Sequence, residues 1–138
     1  MENKIATRVS LERCGVVVEN SFCCLCGKEE ESSSHLFSVC NFAWCVWSLC
    51  FEWLGVSFII PKDPMAIFLQ FRLCQVSDSV NDVWGAIWVG VVSGIWKHRN
   101  SGIFDRGVAD ALEVFRIRTS KDLVLDLCKV SLCFLYVF

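Results

Sequence analysis

Surplus positive charge is missing from this sequence: 13 lysines and arginines stand against 15 aspartates and glutamates, a formal net charge of −2. No basic field therefore advertises nucleic acid. A bilayer-spanning run is missing too. The longest apolar stretch, Val83 to Trp96, holds fourteen residues between Asp82 and Lys97, roughly 21 Å as a helix against a hydrocarbon core of about 30 Å. The C-terminal run is broken by Asp126 and Lys129, which leaves nine residues from Val130 to Phe138, again too few. A buried helix rather than membrane insertion is the expectation. Catalytic inventory is thin: two histidines, seven scattered aspartates with no metal-holding pair of the polymerase kind, and glycines (Gly85, Gly90, Gly94) in an apolar stretch without a P-loop lysine. These absences predict no enzymatic activity and no small-molecule substrate. Met1-Glu2-Asn3-Lys4 lacks the basic and apolar regions of a signal peptide.

What the chain does have is apolar mass and thiols. Of 138 residues 54% are hydrophobic and only 20% charged, and ten are cysteine. That cysteine share falls just short of the roughly 8–10% of a short secreted disulfide scaffold, so free thiols in a reducing compartment are expected, nuclear or cytoplasmic rather than secreted.

The pattern along the chain predicts a mainly α fold: several short helices around a Cys3His zinc knuckle, with no substantial sheet. A lead-in helix over Asn3 to Arg13 stops near Gly15. The serines of the polar tract Lys28 to Ser34 are placed to cap a helix beginning near His35. Between Asn41 and Leu54 one face carries Ala43, Trp47, Cys50 and Leu54 and the other Asn41, Cys45, Ser48 and Glu52, with Asn41 as N-cap and Gly55 as stop. Pro61 and Pro64 punctuate a linker ahead of a short helix, Met65 to Gln75. Ser77-Asp78-Ser79 opens the longest helix, Val80 to Asn100, striped by Trp84, Trp88, Val91 and Ile95, whose Gly90 and Gly94 suit close helix packing. A last helix runs from Val108 to about Arg118. The expected organisation is a zinc module with flanking helices over 1–60, a linker and short helix over 61–76, apolar helices over 77–119, and a tail of uncertain structure over 120–138.

One segment carries chemistry. Cys23, Cys26, His35 and Cys40 give C-x2-C-x8-H-x4-C within eighteen residues, a three-thiolate, one-imidazole set that makes a valid tetrahedral zinc shell. Four protein donors leave no position for a reactive water, so the ion is expected to be structural, a single Zn2+, with iron the other metal that such a shell accommodates. A two-residue gap lets the backbone fold into a knuckle, and Gly27 accepts a positive φ there. His35 and Cys40 stand some 140° out of register on an α-helix and converge only where that helix ends. The alternative is ordinary buried cysteines and a satisfied histidine. No βαβ pattern surrounds the CxxC, which argues against a thioredoxin-type redox motif. Cys24 faces away from the knuckle, and Cys14, Cys45, Cys50, Cys74, Cys128 and Cys133 are expected to pack as small hydrophobes.

Thr7-Arg8, Leu11, Arg13, Gly15-Val16, Cys23-x-x-Cys26-Gly27, Glu29-Glu30-Glu31, His35-Leu36-Phe37, Cys40, Ala43 and Trp47 together resemble the zinc-binding domain that follows the polymerase region of plant LINE-type non-LTR reverse transcriptases. Ile95-Trp96-Lys97-His98-Arg99-Asn100 with Ile103-Phe104 resembles the tryptophan and arginine-asparagine segment downstream of the zinc module in such proteins. The resemblance spans about Thr7 to Phe104. Cys24 and Asn41 stand where the family commonly has proline. Against that family the chain reads as truncated, without the helix that usually precedes the Thr-Arg segment and with a tail unlike the family.

The resemblance implies a non-catalytic structural zinc domain that assists nucleic-acid or template association, with RNA or DNA as a weak partner. Phosphate contacts are expected from Lys97, Arg99, Arg116, Arg118 and Lys121. The alternative is a protein-interaction or scaffold module, or a non-functional retroelement remnant, with no direct nucleic-acid contact. In that reading exposed tryptophans dock a reverse transcriptase or other protein domain.

Overall fold

The computed structural model describes residues 5–55, 57–73, 78–105 and 107–119. The expected tail, with Lys121, Cys128 and Cys133, lies outside them, as does Cys74. Among the described residues the fold is helical, with one isolated antiparallel bridge between Phe22 and Glu30 and no strand.

Helix α1, Arg8–Arg13, begins later than the apolar pattern suggests. Thr7 is its N-cap, taking the Ser10 amide on its hydroxyl, and that side-chain bond sets the first turn. A helical turn over His35–Val39 follows, with the wide spacing of a π-helix. Helix α2, Asn41–Leu54, ends on Gly55 in the left-handed region (φ 69°) as its sequence predicts. Its start differs by one residue: Cys40 occupies the cap position and Asn41 is the first helical residue. Ala43, Val46, Trp47, Cys50 and Phe51 face inward from it. Cys45 and Cys14 are exposed, so these two thiols do not serve as packing residues.

Helix α3, Pro64–Leu73, starts at a proline whose missing N–H is no loss in the first turn, and Asp63 accepts the Met65 amide at 2.9 Å. Helix α4, Asp78–Phe104, is the longest element, 27 residues. Trp84, Ala86, Ile87, Trp88, Val89, Val91, Val92 and Ile95 are all buried on it, as are Gly85, Gly90 and Gly94. A helix apolar around most of its circumference is a core helix. Helices α2, α3 and the π-turn pack against it, together with α5, Ala111–Thr119. Asp110 caps α5 by accepting the Leu112 amide at 2.8 Å, which sets a start three residues later than the apolar pattern implies.

Buried indoles pin the helices to one another. Trp84 Nε1 donates to the Phe68 carbonyl, Trp88 Nε1 to that of Pro64, and Trp47 Nε1 to that of Phe37. Each bond satisfies a polar group that burial would otherwise penalise. Trp47, Phe51, Phe58 and Trp84 form an aromatic cluster between α2 and α4, stacked except for the tilted Trp47–Trp84 pair. Among the described residues no helix is long and apolar enough to cross a membrane.

Candidate metal centre

The knuckle is built by main-chain hydrogen bonds. The Cys23 amide donates to Glu29 O, the Gly27 amide to Cys23 O and the Glu31 amide to Ser21 O, each at 2.7 Å. The first and last hold two short extended segments together around the Phe22–Glu30 bridge. The middle one closes the turn between Cys23 and Cys26. Gly27 sits at φ 66°, where an L side chain is strained.

His35 reaches the site from the far end of the polar loop. Ser32 caps the turn that carries it, accepting the His35 amide on Oγ at 3.1 Å, so a serine of the tract caps as expected. The π-turn then solves the register problem. Cys40 N donates to His35 O at 2.7 Å, an i→i+5 bond, and the wider turn brings residues five apart close to one another. Asn41, the expected break, lies just beyond.

The donor atoms of Cys23, Cys26, His35 and Cys40 all lie within 4.8 Å of one another. Cys23 Sγ is 3.9 Å from Cys40 Sγ, and Cys26 Sγ is 3.2 Å from His35 Nε2. A tetrahedral zinc shell with Zn–S of about 2.3 Å and Zn–N of about 2.0–2.1 Å has S···S edges of about 3.8 Å and S···N edges of about 3.6 Å. The first observed edge matches, the second is slightly short and the 4.8 Å span is longer than an edge, so the quartet is gathered around room for one ion and closes into a tetrahedral shell with small side-chain adjustments. Cys23 and Cys40 are fully buried and His35 nearly so.

Electrostatics couple two of the four donors. A hydrogen bond from Cys40, with the Cys26 and Leu25 amides, holds the Cys23 thiol down to about 5 against the opposing effect of burial. The Cys40 thiol is pushed up by that same pairing and by burial. On the other side of the ring, His35 Nδ1 faces Glu29 Oε2 at 3.2 Å, without the alignment of a hydrogen bond. A carboxylate behind a ligating imidazole fixes its orientation and raises its basicity. Nothing about the acidic run Glu29-Glu30-Glu31 singles out Glu29 in sequence, because such runs usually read as solvated loop.

Cys24 points away from the cluster, as expected, and its thiol donates to the Arg99 carbonyl at 3.5 Å. Burial, with Glu31 and Cys23 adding, pushes it up to about 11. The expected phosphate contacts fare differently from one another. Lys97 and Arg116 are exposed on α4 and α5. Arg99 is not: it is 5% exposed, and its guanidinium is committed to Glu31. Arg99 is therefore withdrawn from the phosphate-contact set. The side chain of Arg118 and all of Lys121 lie outside the described residues. His98 bridges α4 and α5, bonding Gly94 O through Nδ1 and Glu113 through Nε2.

Comparison with known families matches residues 1–47 to one described as zinc-binding in reverse transcriptase. No curated protein and no solved structure matches the chain. The matched segment contains the whole knuckle, the π-turn and all four clustered donors, and it ends on Trp47, whose indole locks the π-turn to α2. Residues 1–47 are thus similar to the zinc-binding domain of reverse transcriptases, and Cys23, Cys26, His35 and Cys40 within them form a cluster that could hold a metal ion.

Proposed function

We propose that the protein is a non-catalytic module in which one zinc ion, held by Cys23, Cys26, His35 and Cys40, serves structure, and that it assists nucleic-acid association in a reverse transcriptase setting. The observation that carries the structural part is the donor set: four protein donors gathered within 4.8 Å of one another, two of them wholly buried, enough to fill a four-coordinate shell without a reactive water. Bound there, the ion supplies cross-linking, joining the knuckle to the π-turn.

Metal analysis of the purified chain tests this, with one equivalent of zinc expected in the parent and a clear loss in His35→Ala. A parent protein without stoichiometric zinc overturns the reading. The nucleic-acid part is supported by the family match and by the exposed Lys97 and Arg116. If Lys97 and Arg116 are the phosphate contacts, log K should fall with log salt at a slope of about −2 for duplex DNA, at roughly 0.9 per phosphate. Binding that ignores salt, or no binding, removes it.

A second reading has its own observation. Trp44 and Ile59 are 56% and 83% exposed beside a groove also lined by Phe51, Phe58 and Ile60. Exposed apolar surface of this kind suits docking on a protein domain such as the polymerase. Trp44→Ser with Ile59→Ser, leaving zinc content unchanged, is expected to abolish co-purification with a reverse transcriptase polymerase domain; unchanged co-purification rejects this reading.

A further inference from the structure

The family match stops at residue 47, yet the knuckle is held from beyond it. Glu31, the last residue of the knuckle's return segment, is completely buried. Its Oε1 accepts from Arg99 Nη2 at 2.6 Å, Arg99 Nε at 3.1 Å and the Arg8 amide at 3.0 Å. Arg99 Nη2 also donates to Ala6 O at 3.3 Å, Nη1 donates to Asn100 Oδ1 at 2.9 Å, and the guanidinium lies over the Trp96 ring. The same residue grips the opposite side of the knuckle, where its carbonyl accepts the thiol of Cys24, which sits between the two CxxC ligands. Arg99 therefore touches the chain both between Cys23 and Cys26 and on the segment leading to His35.

We infer that Arg99 is a positioning residue for the metal site, so that the metal-binding unit of this protein extends from the knuckle into helix α4. A knuckle supports four ligands only if its two segments keep their spacing, and within the matched segment that spacing rests on a few main-chain bonds around a single bridge. From one helical residue the Arg99 guanidinium adds a charge-assisted contact to the return segment at Glu31, while the Arg99 main-chain carbonyl, which substitution leaves in place, takes the Cys24 thiol of the other segment. Its guanidinium spans two nitrogens of a planar fork, which lysine cannot reproduce. Outer partners of metal ligands commonly change metal affinity by about 10–100-fold when removed; Arg99 acts at one further remove, through the backbone that carries the ligands. This inference rests on the zinc reading above.

The test uses the full chain with zinc or cobalt(II) as the probe. Zinc affinity is measured by competition with a chromogenic chelator, and ligand geometry by the cobalt(II) ligand-field spectrum, for the parent, Arg99→Met, Arg99→Lys, Glu31→Gln and the exposed same-helix control Lys97→Met. Arg99→Met should bind zinc at least tenfold more weakly than the parent and give an altered cobalt spectrum. Arg99→Lys and Glu31→Gln should fall between, and Lys97→Met should match the parent. If Arg99→Met fails to fold, Arg99→Lys decides. Parent-like affinity and spectrum in a folded Arg99 variant, even one with lowered thermal stability, would make Arg99 a stability residue only and overturn the inference. A parent that binds no metal fails the zinc reading instead, which keeps the two failures distinct.

Discussion

Arg99 Nη2 lies 2.6 Å from Glu31 Oε1 across 68 residues of sequence, with both side chains removed from water. The pair joins the metal knuckle to the core helix α4. Its contribution to net stability is small by the usual balance of desolvation against Coulomb attraction, but its failure is costly, because a lone charge would be left inside.

Removing one partner should therefore cost far more than removing both. Glu31→Ala or Arg99→Ala is expected to lower unfolding free energy by about 3–5 kcal/mol. The double variant Glu31→Ala, Arg99→Ala should lose much less than the two single losses combined. Urea denaturation of the metal-loaded protein measures the cycle, and strict additivity would show that the charges do not interact.

Chelation should loosen the knuckle without melting the helical core. A structural ion couples binding to local folding, whereas the aromatic contacts of α2, α3 and α4 hold without it. Amide exchange at Cys23, Gly27, Glu31 and Cys40, whose N–H groups make the bonds of the knuckle and π-turn, is expected to accelerate on adding EDTA. Amides in the middle of α4 should stay protected. Equal protection of the knuckle with and without chelator would contradict a structural role for the ion.

Gly27 and Gly55 both occupy left-handed backbone, at φ 66° and 69°, and an added Cβ would meet nothing within 4 Å at either. Steric overlap is thus excluded, leaving the backbone conformation itself as the cost, about 1–2 kcal/mol per alanine. Gly27→Ala and Gly55→Ala should lose similar thermal stability, but only Gly27→Ala should weaken zinc binding. Equal zinc affinity in the two variants would detach the knuckle turn from the metal site.

Cys50 supplies an alkaline limit. Burial pushes its thiol up from the ordinary 9.0 to about 12. Below pH 9 the thiol is neutral in both folded and unfolded chains, and its full contribution is present. Between pH 9 and 12 the unfolded chain loses the proton while the folded one keeps it, so stability falls as pH rises, by about 1.4 kcal/mol per unit at most. Cys50→Val should flatten that part of the stability curve. In the native protein at pH 8, iodoacetamide should label the exposed Cys14 and Cys45 and spare Cys50, as read by peptide mass spectrometry.

Several features were readable without coordinates because they are local. The C-x2-C-x8-H-x4-C spacing named the four donors, the Gly55 stop and the inward face of α2 followed from composition at helical period, and Ser32 belonged to a tract placed to cap. Other features were read wrongly for an equally physical reason. Arg99 stands beside Lys97 and His98, and a basic group at a helix end ordinarily meets water. Nothing within several residues of it betrays the buried carboxylate it serves. Glu29 and Glu31 share one acidic run, yet one backs the imidazole and the other anchors a core arginine.

The sequence by itself determined the candidate donor set and where most helices lie, since thiol and imidazole spacing, capping groups and helical periodicity act over a few residues. Only the tertiary structure decided how far the metal unit reaches and which cations face solvent. Burial is a property of packed surfaces: when α4 lies against the knuckle, Glu31 and Arg99 lose water together, and their mutual bond becomes the condition for both being there.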